Sequence, residues 1–517
     1  MLHAGPLLEE PLQLSDLLKI GLKDRPNDPA VTSMESVVSW SELDSASSRL
    51  AANYLALGLQ PGDRVASLMP NRTALLVHYI ACFKAGLVLT PLNYRYMPPE
   101  IDHALAVSDA KIILAHVERA DDIAASKAAN LPLGVVWYGA DDSKQPSIER
   151  LMKSEPQRAD LPALDPKAPA AIFFTSGSTG PAKGVTHTRG SLGWMFASAA
   201  QAFEVTPNDV VLPGSSCTHI GGFTFAMAAL SAGARLIIAR AFDHDEIGPL
   251  LRTTRPTLLS MLPTALLHLI REHDMTAEDF ASLRLCRSGG DKVSGELEKE
   301  FMALTGKTVS EGYGMTEFGL AALNPPMGVD KLGSIGLPSP GFVFTIRNDQ
   351  WHELPKEQEG RLWVKTPTQC AGYWNDEAAT AEVLREGWFD TGDEMKVDQD
   401  GYNWFCGRQK QIIVHDGSNI SPQEVEDALL EHPAVELAGV VGVIDEAHGE
   451  SVRAYVEIKV DIERPKTGEL IRFAKARVGY KAPEEIVIIE KMPLNPTGKV
   501  DRVCLKKIAA GEHGHHI

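Results

Sequence analysis

The chain has 517 residues, 44% hydrophobic and 23% charged, an ordinary balance for a globular protein and a length too great for a single core. Its 50 Lys+Arg against 68 Asp+Glu leave a net charge of −18, which repels nucleic acid and anionic membrane surfaces. Any polyanionic ligand must therefore be held by local dipoles and a few cations.

Six scattered cysteines without a C-x-x-C pair read as the reduced thiols of a cytoplasmic protein. Glu9 and Glu10 stand where a secretory signal would carry basic residues, and no segment approaches membrane-spanning length, so no membrane insertion is expected. The tail histidines His513, His515 and His516 read as a solvated end.

From about Arg64 strand-like and helical patterns alternate. Val65–Leu68 predicts a strand, and Thr73–Ala85 a helix with Gly86 as its cap. A strand at Leu87–Leu89, a helix opening at Pro98-Pro99-Glu100 and a strand at Lys111–Leu114 follow. Ala171–Phe174 has the apolar character of a buried parallel strand. It runs into Thr175-Ser176-Gly177-Ser178-Thr179-Gly180, which has no core-forming side chain, and then Lys183. Unobstructed amides, hydroxyls and a lysine at a strand end suit a polyphosphate; the competing reading is a Ser/Gly surface loop. The pattern is not that of the P-loop NTPases, because Ala182 precedes Lys183 and Gly184 follows it.

Further strands are expected at Asp209–Leu212, Arg235–Ala239, Thr257–Leu262 and Leu283–Arg287, each followed by a helix-compatible segment. Repeated β-α-β units predict an α/β domain with doubly wound sheets. Past Asn324 the pattern changes. Phe342–Ile346, Arg361–Val364 and Gly387–Phe405 read as a β-rich subdomain of about residues 325–407, with Asp400-Gly401 as a two-residue hairpin turn. After Gly407-Arg408 a smaller α+β unit begins. Ser421-Pro422-Gln423-Glu424 has the pattern of a capping box opening a helix to Leu430. Strands at Val435–Ile444, Ser451–Val460 and Ile486–Ile489 and a helix near Glu469–Val478 complete the unit.

Four further polar clusters sit at the ends of these elements. Gly312-Tyr313-Gly314-Met315-Thr316-Glu317 offers a ring to stack on a base, a hydroxyl for a phosphate and a carboxylate for Mg²⁺. Trp388-Phe389-Asp390-Thr391-Gly392-Asp393 ends in a carboxylate able to accept two ribose hydroxyls. Gly407-Arg408-Gln409-Lys410 lies at the unit boundary, and Pro493 to Lys499 presents a lysine on a polar loop. Taken singly, Thr391-Gly392-Asp393 reads more readily as a plain turn, Glu317 as a helix cap and Lys499 as a solvated lysine.

In this order the motifs TSGSTGPAKG, YGMTE, WFDTGD, GRQK and NPTGKV resemble the adenylate-forming superfamily of acyl-CoA synthetases, peptide-synthetase adenylation domains and luciferases. The resemblance runs from Thr175 to Val500 and implies residues 1–407 as an ATP- and acyl-binding domain, 408–411 as a hinge and 412–517 as a smaller, mobile lid. It further implies that Thr175 to Gly180 cover the pyrophosphate of ATP, with Lys183 beside them. Tyr313 would stack on adenine, after Gly312 and against Gly289-Gly290. Thr316 would contact the α-phosphate and Glu317 would hold Mg²⁺. Asp393 and Arg408 would bind ribose, Lys410 would be the hinge, Gly417 would line the coenzyme A tunnel, and Lys499 would be the adenylation lysine. His219 resembles the histidine set beside the acid's carboxylate, with Trp194, Gly222, Phe223 and Asp291 around the acyl pocket. Departures from the pattern are Ala182 in place of proline, Asp291-Lys292 in place of a small residue and proline, Gln411 in place of an acid, and Asp416 in place of glycine.

The implied chemistry has two steps. A carboxylate attacks the α-phosphorus of ATP, giving acyl adenylate and pyrophosphate, and the thiol of coenzyme A then displaces AMP. The leading expectation is an acyl-CoA synthetase for an apolar acid of aryl or medium-chain size. The alternatives are a stand-alone adenylation enzyme loading a carrier protein and a non-catalytic nucleotide binder. A homodimer is compatible with either enzyme.

Overall fold

The computed structural model describes residues 10–140, 146–155, 161–175, 182–240, 242, 244–272, 275–289, 293, 295–326, 328–408, 411, 413–415, 418–445, 449–495 and 498–511. The chain forms two compact units. One comprises Met1–Val293, Lys299–Phe344 and Val364–Phe389; the other comprises Ser294–Glu298, Thr345–Trp363 and Asp390–Ile517.

The larger unit is built on two mixed sheets. The nine-stranded sheet runs in the order Leu337–Pro338, Gly319–Leu323, Val309–Met315, Leu285–Gly289, Leu258–Met261, Val210–Gly214, Arg235–Ile237, Pro29–Thr32, Val37–Ser39. From Val309–Met315 to Pro29–Thr32 every pairing is parallel, and the edges are antiparallel. The seven-stranded sheet runs Gly372–Tyr373, Gly184–Thr188, Pro169–Phe174, Val88–Pro91, Arg64–Leu68, Ile112–His116, Val135–Tyr138. Only its first two pairings are antiparallel. Parallel strands buried on both faces read as continuous apolar runs, which is why these segments lack alternation.

Between the layers lie helices that are apolar all round. Thr73–Ala85 is buried along nearly its whole length and ends on Gly86 with φ 73°, the expected cap. Ile220–Ser231 is buried from Gly222 to Leu230. At the centre Phe223 is 0% exposed and meets the rings of Tyr79, Phe83, Phe173 and Phe196 at centroid distances of 5.0–6.3 Å. Burying one such ring contributes about 2–3 kcal/mol.

The C-terminal part of the second unit is an α+β layer. Its strands are ordered Ser418–Ile420, Ile413–His415, Gly449–Ile458, Val435–Asp445, with Glu485–Ile489 parallel to Gly449–Ile458. Val440 packs on one face with Leu429 and Leu470 from helices Pro422–Leu430 and Thr467–Val478, while Val441 packs on the other with Leu505 of Arg502–Ala509. The period-two alternation of this strand thus feeds two cores. A further five-stranded sheet contains Val343–Arg347, Gly360–Lys365, Trp388–Val397, Leu384–Arg385 and Asn403–Arg408.

Two local expectations are corrected. The hairpin at Asp400-Gly401 is wider than two residues, because the ladder stops at Val397↔Asn403. The Asp398 carboxylate organises the loop, accepting the amides of Asp400 and Tyr402 and the indole N–H of Trp404. Ser421 is the N-cap of Pro422–Leu430, but its side chain caps nothing and its buried Oγ has no partner among the described residues. Glu424, the other half of the expected box, instead takes the Lys481 ammonium at 2.7 Å.

Candidate active site

The Ser/Gly stretch joins two antiparallel strands. The Thr175 amide donates to the Lys183 carbonyl at 3.1 Å, closing the hairpin of Pro169–Phe174 and Gly184–Thr188. The loop's ends are therefore pinned by a ladder, unlike the strand-to-helix loop of a P-loop. Ser176, Gly177, Ser178, Thr179 and Gly180 lie outside the described residues, as do Gly290, Asp291, Lys410 and Gly417.

Thr316 and Glu317 occupy a tight turn between strands Val309–Met315 and Gly319–Leu323. A Cβ at Gly314 would stand 2.3 Å from the Gly319 carbonyl, and Gly319 has φ 78°, so both ends of the turn require glycine. The turn is held from outside. His187 Nε2–H donates to the Thr316 carbonyl at 2.8 Å, and the Cys370 amide donates to the Glu317 carbonyl at 2.7 Å. Burial holds His187 down to about 4, so it is a neutral donor at physiological pH.

The Glu317 side chain is 5% exposed and accepts the Tyr373 hydroxyl at 2.9 Å. Burial first, then the Glu317 charge, push the Tyr373 hydroxyl well above its ordinary value, so it stays a donor. Lys183, exposed at the loop's end, sets its ammonium over the Tyr373 ring at 5.0 Å. Tyr373 thus brings the expected phosphate-loop lysine and the expected Mg²⁺ carboxylate onto one side chain.

Gly289 and Gly312 are cross-strand neighbours, and Tyr313 follows, half-buried, with its ring 6.5 Å from that of Phe318. His219 is the N-cap of Ile220–Ser231, its Nε2 3.4 Å from Asn93 Nδ2. Gly222 permits the helix to sit on its own approach loop, since a Cβ there would lie 2.5 Å from the Ser216 carbonyl. Trp194, on helix Arg189–Ala202, is half-buried. Phe223 has no exposed surface: it stands behind any pocket, within the aromatic core.

In the second unit Asp393 and Arg408 are directly opposed across two strands. The Asp393 carboxylate is 0% exposed and accepts Arg408 Nε at 2.6 Å and Nη2 at 3.4 Å. The two expected ribose ligands therefore form a single ion pair. Lys499 is exposed in a turn closed by Asn495, whose amide donates to the Lys499 carbonyl at 2.7 Å and whose Oδ1 accepts the Lys499 amide at 3.0 Å. Gly498 has φ 87° there.

His187 and Tyr373 were not among the expected site residues. Neither is marked by local spacing, since each meets its partner only through the fold: His187 reaches Thr316, and Tyr373 reaches Glu317. Among the described residues no group of three or more His, Cys, Asp or Glu side chains forms a metal cluster, and no helix is long and apolar enough to cross a membrane.

Comparison with known proteins agrees with this layout. The family model described as AMP-binding enzyme matches residues 19–374, and the AMP-binding enzyme C-terminal domain matches residues 424–499. The chain is 34% identical over 483 residues to the feruloyl-CoA synthase of Amycolatopsis sp, covering 92% of this chain and 94% of that protein. It is 30% identical over 504 residues to the indoleacetate–CoA ligase of Aromatoleum aromaticum, covering 96% and 98%. The crystal structure of ATP-bound MatB from Rhodopseudomonas palustris aligns with a TM-score of 0.89 at 29% identity, over 96% of this chain and 99% of that one. The chain belongs to the AMP-binding enzyme superfamily, in its acyl-CoA ligase branch, and is an enzyme of the AMP-forming acid–CoA ligase family.

Proposed function

We propose that the chain is an ATP-dependent acyl-CoA synthetase acting on an acid with a largely apolar aryl or medium-chain body. The observation that carries the reading is the Lys183–Tyr373–Glu317 cluster at the end of the Ser/Gly hairpin, where a cation, a hydroxyl donor and a buried carboxylate converge. Glu317 fits Mg²⁺: a buried, oriented carboxylate is a hard ligand of the kind that binds this ion together with substrate phosphates. When bound, the ion supplies neutralisation of phosphate charge.

In the first step the acid's carboxylate oxygen attacks the α-phosphorus and the bond to pyrophosphate breaks. Thr316 and Lys499 would stabilise the charge that builds there, with Thr175 to Gly180 and Lys183 over the leaving group. Gly289, Gly290, Gly312 and Tyr313 would hold adenine, and the Asp393–Arg408 pair would hold ribose. In the second step the sulfur of coenzyme A attacks the acyl carbon and AMP leaves. Residues 412–517 would turn about Lys410 to remove Lys499 and bring Gly417 to the pantetheine path.

His219, Trp194 and Gly222 would form the acyl side, with Asp291 at its floor. The apolar helix Ile220–Ser231 supports an apolar acid, and the two relatives named above carry aryl acids in their names. A panel of acids tested by acid-dependent pyrophosphate exchange and by coenzyme A consumption decides the matter. Aryl or medium-chain acids should lead; a strong preference for a free amino acid or for acetate would overturn the reading.

A further inference from the structure

Arg287 is the middle residue of strand Leu285–Gly289, paired with Ser260 on one side and Ser310 on the other. By strand alternation it shares a face with Leu285, which belongs to the apolar core that contains Phe203. A guanidinium on such a face is expensive unless it is paired. Other arginines show how the charge is otherwise handled in this protein. Arg284 reaches Asp209 at 2.9 Å and Arg361 reaches Asp390 at 2.5 Å.

Arg287 has no such carboxylate among the described residues. Nη1 donates to Ser260 Oγ at 3.3 Å, the Phe203 ring lies 5.8 Å from Cζ, and the buried Nε has no partner among the described residues. Burial draws the group down to about 10, which leaves it a full cation at neutral pH.

Space has been made for this group. A Cβ at Gly289 would lie 2.7 Å from Nη2, and one at Gly312 would lie 2.9 Å from Nε. Two adjoining glycines in register therefore seat the guanidinium at the C-terminal edge of the parallel strands, where ligands bind in open α/β sheets. Tyr313 to Glu317 emerge from the same edge, and strand Val210–Gly214 leads from it to His219.

We propose that Arg287 is a specificity-determining residue that selects acids carrying an acceptor oxygen, phenolic or carboxylate, on the end remote from the carboxyl group being activated; this rests on the ligase reading above. Such an oxygen would accept from the guanidinium's outer nitrogens, the enclosed Nε remaining against Gly312. An acid without one would leave a half-buried cation with only the Ser260 hydroxyl to accept from it.

The test uses the purified full chain and matched acids: 4-hydroxycinnamate against cinnamate, and adipate against hexanoate. The wild type should favour the oxygenated member of one pair by about 10- to 100-fold in kcat/KM, the range of one charge-assisted hydrogen bond. The pair that shows it identifies the oxygen as phenolic or carboxylate. Arg287→Met should bring the ratio to within about threefold, Arg287→Lys should restore part of it, and the KM for ATP should move little in both. A merely structural arginine would lower the melting temperature and slow all four acids alike. Wild-type preference for the plain member of both pairs overturns the proposal, whether or not the methionine variant folds. So does an unchanged ratio in folded Arg287→Met. Absence of adenylation with any acid would instead bring down the ligase reading, and this inference with it.

Discussion

Replacing Tyr373 by phenylalanine deletes one oxygen and leaves the ring beneath the Lys183 ammonium, so the substitution isolates the bond to Glu317. That bond is 2.9 Å long and ends on a carboxylate with 5% exposure, where water is a poor substitute. A hydrogen bond to a charged group of this kind contributes about 1.5–3 kcal/mol, or roughly 10- to 150-fold in an equilibrium constant. Loss of a group that orients a metal ligand costs about 10- to 100-fold in metal affinity, which falls in the same range. Pyrophosphate exchange measured against free Mg²⁺ should therefore show the half-saturating concentration of Tyr373→Phe raised about 10- to 100-fold, with the rate recovering at high Mg²⁺. The shift should be flat with pH through the neutral range, because the phenol remains protonated. Tyr373→Leu, which also removes the ring under Lys183, should add a factor of about two to five from the lost cation–π contact. A lower rate at every Mg²⁺ concentration with an unmoved half-saturation point would refute the orienting role.

Lys499→Ala should lose about 10²–10³ in the rate of adenylation yet make acyl-CoA from supplied acyl adenylate near the wild-type rate; equal damage in both half-reactions would argue against the lid motion. Arg408→Met removes the guanidinium that the buried Asp393 carboxylate accepts and should cost roughly 2 kcal/mol in urea unfolding, less than a fully buried pair because Arg408 is 39% exposed; unchanged stability would show that another donor takes the arginine's place. His187 is held near 4 against about 6.5 when unfolded, so the unfolded chain takes up this proton first as the pH falls. Its share of stability is complete above about pH 6.5, is lost between 6.5 and 4, and amounts to on the order of 2 kcal/mol by pH 5. Urea unfolding of His187→Gln at pH 7 and pH 5 should show the shallower dependence, and an equally steep one would place the acid sensitivity elsewhere.

Much of this was legible in the sequence where local chemistry decides the outcome. The helix Thr73–Ala85 ends where Gly86 takes the left-handed φ of 73° without strain, and the apolar runs of the parallel strands fall within a residue or two of their observed ends. What was illegible depends on distant partners. Ser39 and Glu42 form a true capping box, with the Glu42 carboxylate accepting the Ser39 amide at 2.8 Å. Ser421 and Glu424 have the same spacing and do not, because Lys481 competes for the glutamate. Of the site, the motif residues were readable but their supports were not. His187, Tyr373 and Arg287 occupy unremarkable positions in sequence and gain their meaning from what the fold sets opposite them.

The place of Pro29–Thr32 inside the nine-stranded sheet has a consequence for synthesis. Val31 pairs with Leu236, so this strand leaves the ribosome long before its parallel neighbour exists. At about 5–20 residues per second, the interval is roughly 10–40 s. Through that interval Leu14, Leu17, Leu18 and Trp40, all buried in the finished protein, lack much of their eventual cover. The nascent chain is a natural client for holdase chaperones, and slowing its translation should lengthen its exposure to them.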